Sequence, residues 1–195
     1  SASMTQSSES DGAWDKLNYA RHLAATLAYI GQKQGDSVGL LGLPTDELRF
    51  LPPVGGERHW QRVMAQLSPL KAGKRFPDMA LMKQQLARLQ QPALVVLISD
   101  FYQQNNEISD FLRQLSHSRN EVVAMQLQSA DELSFPYRGA IRFKDLETDE
   151  EVLVTADSAT KGSYFNALYQ HQQNLKAQLA ALDISLCSLS IDQPM

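Results

Sequence analysis

One carboxylate stands where chemistry is most expected of this chain. Pro92 to Tyr102 reads PALVVLISDFY, and five apolar residues, Leu94 to Ile98, run directly into Ser99 and Asp100. A run this short and continuous fits a strand buried on both faces, as in a parallel sheet. Asp100 then lies where the strand leaves the core, and open parallel α/β sheets bind ligands at the carboxyl ends of their strands. The structural alternative is that Asp100 caps the loop by accepting from nearby backbone N–H groups. Further acids follow: Asp131 and Glu132, then Asp145, Glu147, Asp149, Glu150 and Glu151. The second group reads as a solvated hairpin tip. Ser99 beside Asp100 is no catalytic dyad, since no histidine is evident as its base. His22, His59, His117 and His171 lie far apart without ligand spacing, and each fits a surface or satisfied role. The sequence reads as offering no G-x-S-x-G elbow, no phosphate-binding G-x-x-x-x-G-K loop and no H-E-x-x-H pair.

Size and composition bound the rest. At 195 residues the chain reads as one domain, 1–195, long enough for a substantial core. Twenty-two acids stand against 18 Lys and Arg, a net charge of −4, which gives no nucleic-acid footprint. Cys187 is the single cysteine, so no internal disulfide forms and a reducing, cytoplasmic setting is expected. No apolar run reaches the roughly 20 residues that span a bilayer.

The elements that must position Asp100 alternate. Asp15 to Gly31 reads as a helix with Leu17, Ala20, Ala24, Leu27 and Ala28 on one face, and Gly35 suits a left-handed position beyond its end. Ser37 to Leu43 reads as a buried strand. Leu48 to Leu51 reads as a short edge strand that Pro52-Pro53 ends. Trp60 to Leu67 and the Met79, Met82, Leu86, Leu89 stripe are helical, with Pro77 suiting the first turn. Asn105 and Asn106 are cap candidates for a helix carrying Ile108, Phe111, Leu112 and Leu115. Glu121 to Leu127 is another buried strand, Asp131 to Gly139 a loop, and about 140–155 a hairpin insertion. Ala159 to Leu182 is the longest helix. Ile184 to Ile191 is a last strand whose polar face suits a sheet edge. The order predicts a mostly parallel α/β sheet with helices on both faces.

Several stretches together carry a resemblance. They are Ser1-Ala2-Ser3-Met4, Trp14 to Arg21 (WDKLNYAR), Gln34 to Leu40 (QGDSVGL) and Ile98-Ser99-Asp100-Phe101. Asp131, Glu132, Pro136 and Gly139 in one loop, and Asp145 to Thr148 in the hairpin, extend it. The chain resembles a von Willebrand factor A-type, Rossmann-like domain. More specifically it resembles the bacterial family called domain of unknown function fifty-eight. The resemblance implies a metal-ion-dependent adhesion site that holds magnesium, with Ser1, Ser3 and Asp100 matching three of its ligands. It also implies a protein–protein interaction role, without catalysis, beside a MoxR-type AAA+ ATPase in complex assembly or maturation. Asp131 and Glu132 then belong to the partner-binding rim. Two alternatives stand beside this: a metal-dependent hydrolase using Asp100 with Asp131 or Glu132, and a structural module with a decayed metal site.

Two departures from the family pattern shape the expectations. The first-loop aspartate would precede Ser1, and Gly73-Lys74-Arg75-Phe76 offers no second-loop threonine. The first central strand, which the resemblance places between Ser37–Leu43 and Ala93–Ser99, is likewise missing, and Ser1 to Gly12 is too polar to replace it. An altered or intermolecular arrangement is expected, including a homo-oligomer formed through that strand. Ser1, Ser3 and Asp100 supply one carboxylate and two hydroxyls, a weak set for a strongly hydrated cation. The chain is therefore expected to bind magnesium weakly. Calorimetric titration should give no micromolar affinity, and a micromolar or tighter constant would mean that another residue completes the site.

Overall fold

The computed structural model describes residues 4, 14–43, 48–72, 79–89, 91–102, 107–116, 119–144 and 151–193. In chain order the elements are α1 (Lys16–Gln34), β1 (Val38–Gly42), β2 (Arg49–Val54), α2 (Glu57–Leu67), α3 (Met79–Leu86), β3 (Leu94–Ser99) and α4 (Glu107–Ser116). There follow β4 (Glu121–Gln128), α5 (Ala130–Ser134), β5 (Gly139–Lys144), β6 (Glu151–Ala156), α6 (Ser158–Ala181) and β7 (Ser185–Ser190). Ser1, Ser3, Pro77, Asn105, Asn106, His117 and the hairpin tip at Asp145 to Glu150 lie outside the described residues.

β4 is the middle strand of a three-stranded parallel sheet, with β3 on one side and β7 on the other. Its two faces feed two cores. Val122 and Ala124 pack with Phe111, Leu112 and Leu115 of α4 and with Leu175 and Leu179 of α6. Leu127 points the other way and packs with Tyr19 of α1, Ile191 and Met4. Successive residues of a strand alternate between faces, so one strand serves both layers. Leu115 and Leu127 are fully buried, each worth about 1.5–3 kcal/mol over exposure. The result is a mixed α/β fold with helices on both faces of a parallel sheet, compatible with a Rossmann-like architecture.

Local chemistry explains the ends of the elements. Asp15 caps α1 by accepting from the Asn18 N–H at 2.6 Å. Gly35 closes the helix at φ 86, in the left-handed region that glycine enters freely. Asp157 caps α6 through the Thr160 N–H at 2.7 Å. Gly39 is required by close approach: a Cβ there would lie 3.0 Å from both the Leu51 carbonyl oxygen and the Pro53 nitrogen.

The sheet differs from the expected one in three ways. First, β1 pairs with β2 antiparallel as a separate sheet, and among the described residues no strand joins β1 to β3. Side chains still bridge the interval, since Leu41 and Leu43 pack against the core that holds Leu97 and Val95. Second, β3 is only half-buried, with Leu94 at 62 % exposure. Among the described residues its one strand partner is β4, so the apolar run there is covered on one side and not shared between two strands. Third, β2 runs through Pro52 and Pro53, which do not end it. Among the described residues β1 is its one partner, and an outer edge needs no N–H donor. The polar strand β7 does lie at a sheet edge. The hairpin forms as β5 and β6, with Ile141 opposite Val154.

Candidate functional site

The carboxyl end of β3 turns sharply at the predicted aspartate. Asp100 is fully buried. The next residue, Phe101, is also buried and sits at φ 58. Bulky residues rarely adopt that conformation, and such strain concentrates at functional loops. Side chains of the strand end hold the turn. The Phe101 N–H donates to Ser99 Oγ at 3.1 Å and the Tyr102 N–H to Asp100 Oδ1 at 3.4 Å. The capping role considered for Asp100 is therefore present, through a long bond.

A second loop meets the first. Asp131 to Gly139 is not all loop: Ser129 and Glu132 form a reciprocal capping box that starts the short helix α5. The S-x-x-E spacing at Ser129 is the sequence signal for it. Glu132 accepts from the Ser129 N–H through Oε2 at 2.9 Å. Its Oε1 lies 2.5 Å from Lys16 Nζ, and no part of Lys16 is exposed. The ammonium also sits 5.4 Å from the centre of the Tyr102 ring. The Tyr164 hydroxyl donates to the Glu132 carbonyl oxygen at 2.8 Å. Phe135 closes α5 at φ 45 and packs on Tyr164 with ring centres 4.8 Å apart.

These charges shift the neighbouring groups. Burial first, then the nearby Glu132 and Asp100 carboxylates, push the Tyr102 phenol well above its ordinary value. Burial, followed by Glu132, pushes Tyr164 up to about 12. Both phenols stay protonated across the physiological range and remain donors.

On the face toward α6 the sheet changes character along its length. Leu97, Ala124 and Leu186 form an apolar row across the three strands, and the next row is Ser99, Gln126 and Ser188. Gln128 and Ser190 continue it. Ser188 Oγ donates to Gln126 Oε1 at 3.3 Å, and the amide nitrogens of Gln126 and Gln128 are buried without a hydrogen-bond partner. α6 runs back along β7. With about 1.5 Å of rise per helical residue and 3.3 Å per strand residue, His171 lies one row nearer the carboxyl end than Leu175. His171 stacks on Tyr102 with ring centres 5.1 Å apart, and its Nε2 is buried without a partner. Burial lowers its pKa, while Asp100 acts in the opposite direction.

The predicted residues therefore part company. Asp100 and Glu132 flank one cluster with Lys16, Tyr102, Tyr164 and His171. Glu132 is held on both oxygens and is not an open ligand on a surface. Asp131 is half-buried in the first turn of α5. Among the described residues no group of three His, Cys, Asp or Glu gathers to hold a metal ion. With Glu132 paired to an ammonium, the described donors at this end do not fit a hard divalent cation. His171 departs from the surface or satisfied role expected of it, whereas His59 Nε2 lies 2.8 Å from the Val38 carbonyl oxygen. Lys16 lies in the WDKLNYAR stretch that carries the resemblance, but no spacing links it to Tyr102, and only the fold brings the two together. Gly35 to Gly39 has the G-x-S-x-G spacing after all, but it joins the end of α1 to β1. A nucleophile elbow requires the reverse order, strand then helix.

A family model described as "Protein of unknown function DUF58" matches residues 1–174. No curated protein matches the chain. Among solved structures, the crystal structure of an uncharacterized membrane spanning protein from Vibrio fischeri is similar at 14 % identity and a TM-score of 0.34. That similarity covers 90 % of this chain and 94 % of the other. No described helix of this chain is long and apolar enough to cross a membrane.

The lowered pKa of His171 makes a pH prediction. The unfolded chain takes up this proton near the ordinary value of about 6.5, before the folded one does. Stability should therefore be fully present above that value and fall as pH drops through it. His171→Asn should lose this component, so its melting temperature should change less between pH 7.5 and 5.5 than that of the wild type. Parallel curves for the two proteins would rule out the burial of a neutral imidazole.

Proposed function

The chain belongs to the family described as Protein of unknown function DUF58, and from that premise we propose that it is a non-catalytic protein–protein interaction module. Its partner is a MoxR-type AAA+ ATPase, its process is complex assembly or maturation, and its setting is the cytoplasm. Recognition takes place at the carboxyl end of the parallel sheet, on the rim formed by the Asp100 loop and α5. The parallel arrangement of β3, β4 and β7 under helices on both faces supports a von Willebrand factor A-like domain.

One observation carries this reading against the hydrolase alternative. Glu132, a carboxylate that such a hydrolase would set beside Asp100, has its two oxygens taken by Lys16 and the Ser129 N–H. A carboxylate held by an ammonium is a poor general base, because the paired charge disfavours taking up a proton. The same contacts suit a surface that must keep its shape, since pre-organised loops lose less entropy on binding. No step of recognition is routed through a metal ion.

Asp100→Asn tests the rim, and it keeps the shape of a fully buried side chain. Binding to the purified MoxR-type ATPase from the same genome, followed by interferometry, should weaken by about tenfold or more, roughly 1.4 kcal/mol. The melting temperature should stay within a few degrees. Wild-type affinity in the variant would remove Asp100 from recognition. A fall of about ten degrees or more would instead assign Asp100 to holding the buried loop together, well beyond the few degrees that loss of a single cap costs.

A further inference from the structure

The cation that holds Glu132 occupies an unfavourable place. Lys16 is the first residue of α1, where unpaired N–H groups and the helix dipole favour negative charge. The acid at this end is the cap residue Asp15, whose two oxygens are taken by the Asn18 N–H and side-chain amide, each at 2.6 Å. Lysine stems usually carry the ammonium out to water, yet no part of Lys16 is exposed. What the ammonium meets comes from two separate loops. It pairs with Glu132 of α5 at 2.5 Å. Its other neighbour is the face of Tyr102, two residues beyond Asp100, at 5.4 Å from the ring centre. Aromatic faces attract cations, and more so where water is excluded. Lys16 therefore touches both loops at once.

We infer that Lys16 is a positioning residue for the rim: one buried ammonium ties the Asp100–Tyr102 loop and α5 into a single surface, so that the two loops order and loosen together. The inference rests on the proposal that this rim is the partner face. Glu132 extends the tie, because its backbone oxygen takes the Tyr164 hydroxyl of α6. Removing the charge at Lys16 should therefore be felt at two loops that are 30 residues apart in sequence, from Tyr102 to Glu132.

Amide hydrogen exchange on the full chain tests this with Lys16→Met and with the double variant K16M/E132Q. The double variant leaves no unpaired carboxylate and keeps an acceptor for the Ser129 N–H, so it remains folded if the single variant does not. In the double variant, exchange at 100–102 and at 130–135 should rise together by about an order of magnitude, while 121–127 stays protected. Affinity for the MoxR-type ATPase should fall with it. A rise confined to 14–20, or to one of the two loops, would overturn the coupling. If both loops loosen and affinity is unchanged, the coupling stands and the partner-face proposal fails instead.

Discussion

A buried lysine paired with a largely covered glutamate is the constraint on which the carboxyl end of this fold depends. Burying both charges is expensive, and removing one partner of such a pair typically costs about 3–5 kcal/mol. That is a large part of the roughly 5–15 kcal/mol by which a domain is stable. α1, α5 and the tyrosine of α6 must therefore sit in one arrangement for Lys16 and Glu132 to meet. A strained turn adjoins each loop that Lys16 meets: Phe101 precedes Tyr102, and Phe135 closes α5, the helix of Glu132. Each places an aromatic side chain in the interior and leaves its backbone in the left-handed region.

The division of labour along the sheet follows from the same demand. Toward the amino end, rows of Val, Leu and Ala fill the space under α4 and α6. Toward the carboxyl end, Ser99, Gln126 and Ser188 replace them, and α6 answers with His171 where it had offered Leu175 and Leu179. Such polar rows weaken a core unless their groups serve another purpose. Here they lie beneath Asp100 and Tyr102, so the sheet itself changes from scaffold to site within a few residues. An open cleft at the other end, lined by Arg119, Asn120, Glu121 and Asp183, shares none of this chemistry.

Much of the fold was legible in the sequence because its signals are local. The Asp15 and Gly35 ends of α1, the strand at Leu94 and the hairpin around Ile141 each follow from cap chemistry or periodicity. Among the described residues no strand joins β1 to β3, and β1 pairs with β2 in a separate sheet. The half-exposed character of β3 was not foreseen, because an apolar run does not say how many neighbours a strand has. Asp100 was legible from its place after that run. Lys16, Tyr102 and His171 were not, since they are brought together from α1, the β3 loop and α6, and no spacing records such a meeting. Glu132 was legible as an acid of interest but not as a paired one.

The proposed recognition face is the carboxyl end of the parallel sheet. Nuclear magnetic resonance of the isotope-labelled chain, titrated with the unlabelled MoxR-type ATPase, addresses it residue by residue. Shifts and line broadening should gather at 100–102 and 129–139. Perturbations gathered instead at 119–121 and 182–184, the opposite end of the sheet, would contradict it.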